Sequence, residues 1–151
     1  MRIEWREVKS MAMQTVRDVM TTNVVYLPSE TTLAEAARTM REQDIGDVVV
    51  ADGPELSGLV TDRDIVVRAV AERCDPAATT IGEILSKNLV TVRPEDSIHS
   101  AALLMRDQAV RRVLVCDDSN GLVGIVSIGD LAEEIDPDSV LGGISKAEPN
   151  N

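Results

Sequence analysis

The sequence predicts a mixed fold, α+β shading into α/β, in which two copies of one β-α-β-β-α unit pack about a pseudo-twofold axis. Three observations predict it. First, the chain is written twice: V-R-D-V-M-T-T-N-V-V-Y-L-P from Val16 returns as T-I-G-E-I-L-S-K-N-L-V-T-V-R-P from Thr80, with Asn23 answering to Asn88, Met40 to Met105 and Gln43 to Gln108. Second, each copy holds an apolar pattern of helical period. Third, each holds a continuous run of aliphatic residues followed by a turn cluster and a second apolar run. A close tandem duplication implies two equivalent grooves related by the axis, and so two candidate ligand sites.

The elements follow in order. Residues 1–14 have no counterpart in the second copy and are read as an N-terminal extension, with Met11 or Met13 as alternative starts. A short helical lead-in, residues 15–20 and again 80–85, precedes a strand, V-V-Y-L at Val24 and L-V-T-V at Leu89. Both strands stop before a proline, Pro28 or Pro94, which has no N–H to give a ladder. Next comes an amphipathic helix with apolar residues at i, i+3, i+4 and i+7: Leu33, Ala36, Ala37 and Met40, then Ile98, Ala101, Ala102 and Met105. The runs at 48–50 and 113–115 read as strands buried on both faces. The turn clusters D-G-P-E and D-D-S-N-G lead to second strands around Leu59 and Ile125, and final helices open near Asp62 and Ile128. The domain boundaries expected from this reading are 15–73 and 80–136, joined by a 74–79 linker and followed by a tail, 137–151.

At 151 residues the chain can bury a sizeable core, whereas two separate units of about sixty residues would each be marginal. They are expected to fold as one body. Trp5 and Tyr26 are the only aromatic residues, so a ring-shaped ligand must be gripped by Val, Ile and Leu. A net charge of -11, spread along the chain, argues against nucleic acid and anionic membrane as partners. No apolar run reaches bilayer length and no signal-peptide pattern opens the chain, so a cytoplasmic location is expected. Cys74 and Cys116 lack metal or redox spacing and read as structural.

The sharpest local signal is T-D-R-D at Thr61 and S-I-G-D at Ser127, each after a short strand and opening a helix. Ser/Thr-x-x-Asp/Glu is also the capping box, and the same spacing occurs at Thr15 with Asp18, Thr32 with Glu35, and Thr80 with Glu83. The position of the two later boxes distinguishes them. A strand-to-helix junction aims free N–H groups into the crevice at the strand ends, where an anion binds. A hydroxyl there suits a phosphate oxygen, and a carboxylate suits the paired hydroxyls of a ribose. The residues by themselves leave a nucleotide site and simple capping both open.

Taken together, the paired V-V-Y-L and L-V-T-V strands after M-T-T-N and L-S-K-N, the I-G-D-V-V-V and V-R-R-V-L-V strands, and G-L-V-T-D-R-D with G-I-V-S-I-G-D resemble a tandem pair of cystathionine-β-synthase (CBS) domains, the Bateman module. The resemblance covers residues 15 to about 135 and extends to short proteins that consist of a CBS pair alone. It implies a regulatory module that binds an adenosine compound, such as AMP, ADP, ATP or S-adenosylmethionine, in clefts between the two repeats, and that pairs with a second copy as a homodimer. The adenosine nucleotide is a regulatory ligand, and no cofactor or metal is expected. Carried over by position, the first cleft uses Thr22, Asn23, Val24 and Val25 around the base, Gly46 and Val48 beside it, Thr61 toward phosphate and Asp64 on ribose. The second uses Lys87, Asn88, Leu89, Val90, Val110, Arg111, Val113, Ser127 and Asp130.

This chain departs from a symmetric pair in one respect: Asp47 stands where the second copy has Arg112, which disfavours phosphate in the first cleft. Arg63 is placed to offset it, although an arginine on a first helical turn is ordinarily solvated. Arg111 and Arg112 precede the Val113 strand, and strand alternation lets only one of them face the second cleft.

Enzyme chemistry finds little support. His99 is the only histidine and sits at the second position of a helix, neither cysteine has an activating context, and no phosphate-cradling glycine motif occurs. Two readings of function remain: a sensor that binds an adenosine nucleotide and signals to a protein target, and a dimeric stress-response interaction protein that works without ligand.

Overall fold

The computed structural model describes residues 14–135; the tail 137–151, Trp5 and all but the last residue of the N-terminal extension lie outside the described residues. In chain order the elements are α1 (Val16–Val19), β1 (Tyr26–Leu27), α2 (Leu33–Gln43), β2 (Asp47–Asp52), β3 (Glu55–Thr61), α3 (Asp62–Asp64) running into a π-helical segment (Ile65–Val70), a 3-10 turn (Ile81–Glu83), β4 (Thr91–Val92), α4 (Ile98–Asp107), β5 (Arg112–Cys116), β6 (Leu122–Ser127) and α5 (Ile128–Ile135). They form two three-stranded sheets, β1-β2-β3 and β4-β5-β6, each with a parallel first pair and an antiparallel hairpin.

The compact units do not follow the repeats as read in the sequence. Residues 24–89 form one unit, and the other joins residues up to 23 with those from 90 onward. Each lead-in therefore belongs with the sheet of the other copy. Its apolar anchor explains why: Ile81 is fully buried among Leu33, Ala36, Met40, Val48, Val50 and Val60, and Val16 among Val92, Ala101, Met105, Val113 and Val126. Burying such a side chain contributes about 1.5–3 kcal/mol, which a lead-in of one turn cannot obtain within itself.

The backbone completes the attachment. Thr21 and Ile125 exchange N–H···O bonds at 2.9 and 3.0 Å, and Leu59 and Ser86 exchange theirs at 3.1 and 3.0 Å. Both contacts need a bare backbone beside them. A Cβ on Gly58 would lie 2.6 Å from the Ser86 carbonyl oxygen, and one on Gly124 would lie 2.9 Å from that of Thr21.

The first strands are shorter than V-V-Y-L and L-V-T-V implied, since only Tyr26–Leu27 and Thr91–Val92 hold strand geometry. The Val25 and Val90 carbonyls already accept from Val49 and Leu114 at 2.9 Å, so pairing begins one residue before each strand. The helical stripes are narrower than expected as well. Leu33, Ala36 and Met40 are buried but Ala37 is exposed, and Ala102 only borders the core that holds Ile98, Ala101 and Met105. A short helix packed on one small sheet has room for little more than the i, i+3, i+7 edge.

The β2–β3 turn places Gly53 at φ 74, a conformation that favours glycine, ahead of Pro54. In the longer β5–β6 loop the Asp117 carboxylate accepts the Ser119 hydroxyl at 2.7 Å and the Gly121 N–H at 2.9 Å, which holds its pKa below the usual aspartate value. Asp52 is lowered in the same way by the Ser29 N–H at 2.9 Å. Both cysteines are free and half-buried, and burial, then Asp117, pushes the Cys116 thiol up. Within the π-helical segment only Ala69 enters the core, while Val66, Val67 and Val70 are 57, 43 and 61% exposed. No helix among the described residues is long and apolar enough to cross a membrane.

Replacing Gly124 or Gly58 by alanine tests the close approach. Each is expected to cost about 1–3 kcal/mol, because the obstacle is a backbone carbonyl that cannot rotate away. A urea melt should show a lowered midpoint at unchanged slope; a loss below about 0.5 kcal/mol would mean that the lead-in shifts freely.

Candidate functional site

The two strand-to-helix junctions are built alike. In the antiparallel hairpins Asp47 lies opposite Thr61 and Arg112 opposite Ser127, and cross-strand partners share a face of the sheet. Val48, Val50 and Val60 turn to the core of their unit, as do Val113, Val115 and Val126. By strand alternation Asp47, Val49, Leu59 and Thr61 occupy the opposite face of one sheet, and Arg112, Leu114, Ile125 and Ser127 that of the other. Backbone bonds fix where each helix leaves: the Asp62 N–H donates to the Gly46 carbonyl at 3.0 Å, and the Ile128 N–H to that of Arg111 at 2.9 Å.

Both boxes are formed. The Thr61 N–H donates to Asp64 Oδ2 at 2.9 Å and the Asp64 N–H to Thr61 Oγ1 at 3.1 Å; for Ser127 and Asp130 the distances are 2.8 and 3.2 Å. The same geometry closes Thr32 with Glu35. At Thr15 and Thr80 the threonine N–H likewise donates to Asp18 Oδ2 at 2.9 Å and to Glu83 Oε2 at 2.7 Å. Capping is therefore present at all five of these boxes, and it engages one carboxylate oxygen of Asp64 and of Asp130. The second oxygen of each remains available to a hydroxyl donor, since an ionised carboxylate has about four acceptor positions.

The junctions differ in the make-up of the first helical turn. At the first, the Asp62 N–H goes to Gly46, the Arg63 N–H to Asp62 Oδ1 at 2.8 Å and the Asp64 N–H to Thr61, so the first turn is closed and carries an extra carboxylate. At the second, Ile128 and Gly129 stand in place of Asp62 and Arg63, so no aspartate folds back on the first turn. Sequence reading missed this contrast. Its signal was legible in T-D-R-D against S-I-G-D, because only the first carries an aspartate able to fold back on its own turn.

The other expected site residues divide between the units. Val24, Val25, Gly46, Val48, Thr61, Arg63 and Asp64 share a unit with Lys87, Asn88 and Leu89, whereas Thr22 and Asn23 share one with Val90, Val110, Arg111, Arg112, Val113, Ser127 and Asp130. The Val48 and Val113 side chains are buried in their cores and leave only backbone to offer a ligand. Arg63 and Arg111 are exposed, and Arg112 is half-buried and already engaged within the protein. His99 is exposed on α4.

A family model described as CBS domain matches residues 16–70 and again 81–137. The chain belongs to the CBS domain family. It holds two CBS domains in tandem, and its two β-α-β-β-α repeats are those domains. Among relatives it is 39% identical over 120 residues to the CBS domain-containing protein YhcV of Bacillus subtilis, covering 80% of this chain and 84% of that one. It is 36% identical over 130 residues to Hypoxic response protein 1 of Mycobacterium tuberculosis, covering 85 and 90%. Among solved structures, the CBS domain pair of protein MJ0100, in complex with 5′-methylthioadenosine and S-adenosyl-L-methionine, is 26% identical with a TM-score of 0.72 and covers 80% of this chain and 94% of that one.

Because the boxes are formed, truncation and charge removal separate their two roles. Asp130→Ala is expected to cost about 0.5–2 kcal/mol as a lost cap. Asp130→Asn retains an acceptor for the Ser127 N–H and should stay within about 0.5 kcal/mol of wild type in denaturant melts. Equal losses in both variants would show that the charge, and not the acceptor, holds the turn.

Proposed function

We propose that this CBS pair is a regulatory module that binds an adenosine-containing small molecule at its strand-to-helix junctions and passes the binding event to a protein target. In each junction the free carboxylate oxygen, of Asp64 or Asp130, takes a ribose hydroxyl, and the aliphatic face beside it takes the base. The chain acts by binding and not by catalysis. The complex of protein MJ0100 with two adenosine compounds supports the ligand class, on a fold this chain shares.

One observation carries the assignment of the two sites. The second junction sets Arg112 opposite Ser127 and has Ile128 at the start of its turn, whereas the first sets Asp47 opposite Thr61 and closes its turn with Asp62. Phosphate is a dianion near neutral pH and is drawn to the second junction and repelled from the first. The first suits a ligand without phosphate, such as adenosine or a thioether nucleoside. Arg111 gives its carbonyl to the fold and keeps its side chain exposed, so Arg112 is the arginine on the Ser127 face.

We further propose a homodimer, with a second copy covering Val66, Val67 and Val70. The apolar run at 101–104 is a poorer surface than it looks in sequence, since Ala101 is buried, Leu104 packs on the core and only Leu103 is exposed.

Calorimetric titration with AMP and with adenosine tests the ligand reading. Wild type should prefer AMP at the second junction, and Arg112→Ala should narrow that preference by roughly tenfold to a hundredfold, the worth of a charge-assisted hydrogen bond. Arg111→Ala should leave it unchanged. If Arg112→Ala does not narrow the preference, the phosphate end is misassigned; if neither compound binds, the ligand-free interaction protein becomes the better reading.

Light scattering at tens of micromolar should give the mass of two chains, and the double variant Val66→Glu, Val70→Glu that of one. A monomeric wild type removes the dimer.

A further inference from the structure

We infer that Arg68 is a positioning residue of the first junction, one that aims the ligand-facing oxygen of Asp64 and ties it to the lead-in at Ile84. The inference rests on the reading of that junction as a ribose site.

The geometry is asymmetric about a single planar group. Asp64 Oδ2 is occupied by the Thr61 N–H at 2.9 Å, so Oδ1 is the oxygen left for a ligand. Arg68, four residues on, places Nε 3.7 Å from that Oδ1 and donates from Nη1 to the Ile84 carbonyl at 3.0 Å. Nε and Nη1 belong to one rigid guanidinium, so fixing either end fixes the other. At 3.7 Å the ion pair is too long to be a hydrogen bond. It orients Oδ1 by charge and leaves its lone pairs for a ligand hydroxyl. The Asp64 side chain is 16% exposed and that of Arg68 47%, so the carboxylate is sheltered while the arginine is half in water. A pair exposed to that degree adds little to stability, and its effect lies in direction.

The Ile84 end gives the arrangement its second role. Two residues on, Ser86 exchanges backbone bonds with Leu59 of β3, so Arg68 is a further link between the junction and the lead-in. The second unit makes its lead-in contact differently. Glu134, four residues after Asp130, accepts from Gln14 Nε2 at 2.8 Å, which ties the residue preceding the lead-in to the helix. Two boxes of the same pattern thus carry different residues four positions on: Arg68 beside Asp64 in the first, Glu134 bonded to Gln14 in the second.

The test uses Arg68→Ala and Arg68→Lys in the full chain, with two readouts. Adenosine titration is done in the Asp130→Ala background, which leaves the first junction as the only intact one. Arg68→Ala should weaken adenosine roughly threefold to tenfold, the worth of one well-placed hydrogen bond, and Arg68→Lys should recover part of the loss. Amide hydrogen exchange without ligand should be faster in Arg68→Ala at Thr61, Leu59 and Ser86, unchanged at Ser127, and partly restored in Arg68→Lys. Unchanged exchange at Thr61 overturns the inference, as does unchanged adenosine affinity in a variant that exchanges faster. Should wild type bind no adenosine, the ribose reading of the junction falls, and exchange at Thr61 alone decides whether Arg68 holds Asp64.

Discussion

Reciprocal backbone bonds between Thr21 and Ile125, and between Leu59 and Ser86, are the constraint on which the rest of the structure depends. They bring a lead-in from one copy of the repeat against the hairpin of the other. Bare backbone at Gly124 and Gly58 permits so close an approach, and the burial of Val16 and Ile81 helps hold the short lead-ins in place. Neither copy of the repeat, taken as a contiguous stretch, contains everything its own core requires. The duplication is therefore more than two domains in series, because each half supplies a structural part of the other.

From that constraint the junctions follow. With the hairpin anchored, the Gly46 and Arg111 carbonyls capture the first N–H of the helices that follow β3 and β6, and the boxes at Thr61 and Ser127 close the turn. A capping box and a ribose site are then not competing descriptions of one motif. The cap takes one carboxylate oxygen and holds the other in a defined direction. On the proposed reading, stability and recognition share the residue but not the atom, which is why asparagine and alanine substitutions are expected to part them.

Part of the divergence between the copies falls where a ligand's charge would be felt. Asp47 against Arg112, Asp62 against Ile128, and Arg68 against Glu134 all fall within or beside the junctions, while Val48, Val50 and Val60 match Val113, Val115 and Val126 in the cores. Packing demands the same shapes in both halves; the charged positions are not so bound. A tandem pair can thus keep one fold and carry two chemically different sites.

Much of this was legible without coordinates. The repeat, the helical period at Leu33 and Ile98, the strands buried on both faces at 48–50 and 113–115, and the boxes are local patterns, and local hydrogen bonding and side-chain periodicity suffice to specify them. The contrast of Asp47 with Arg112 is likewise written in the chain. What only the tertiary structure decided is non-local: that lead-ins exchange partners between copies, that Ala37 is left exposed while Ala36 is buried, that Arg112 and not Arg111 shares the Ser127 face, and that Arg68 reaches both Asp64 and Ile84. Each depends on which surfaces meet after the chain has closed on itself. A sequence pattern of short period carries no information about pairings beyond its own span, and for those the packed core and the backbone bonds had the deciding role.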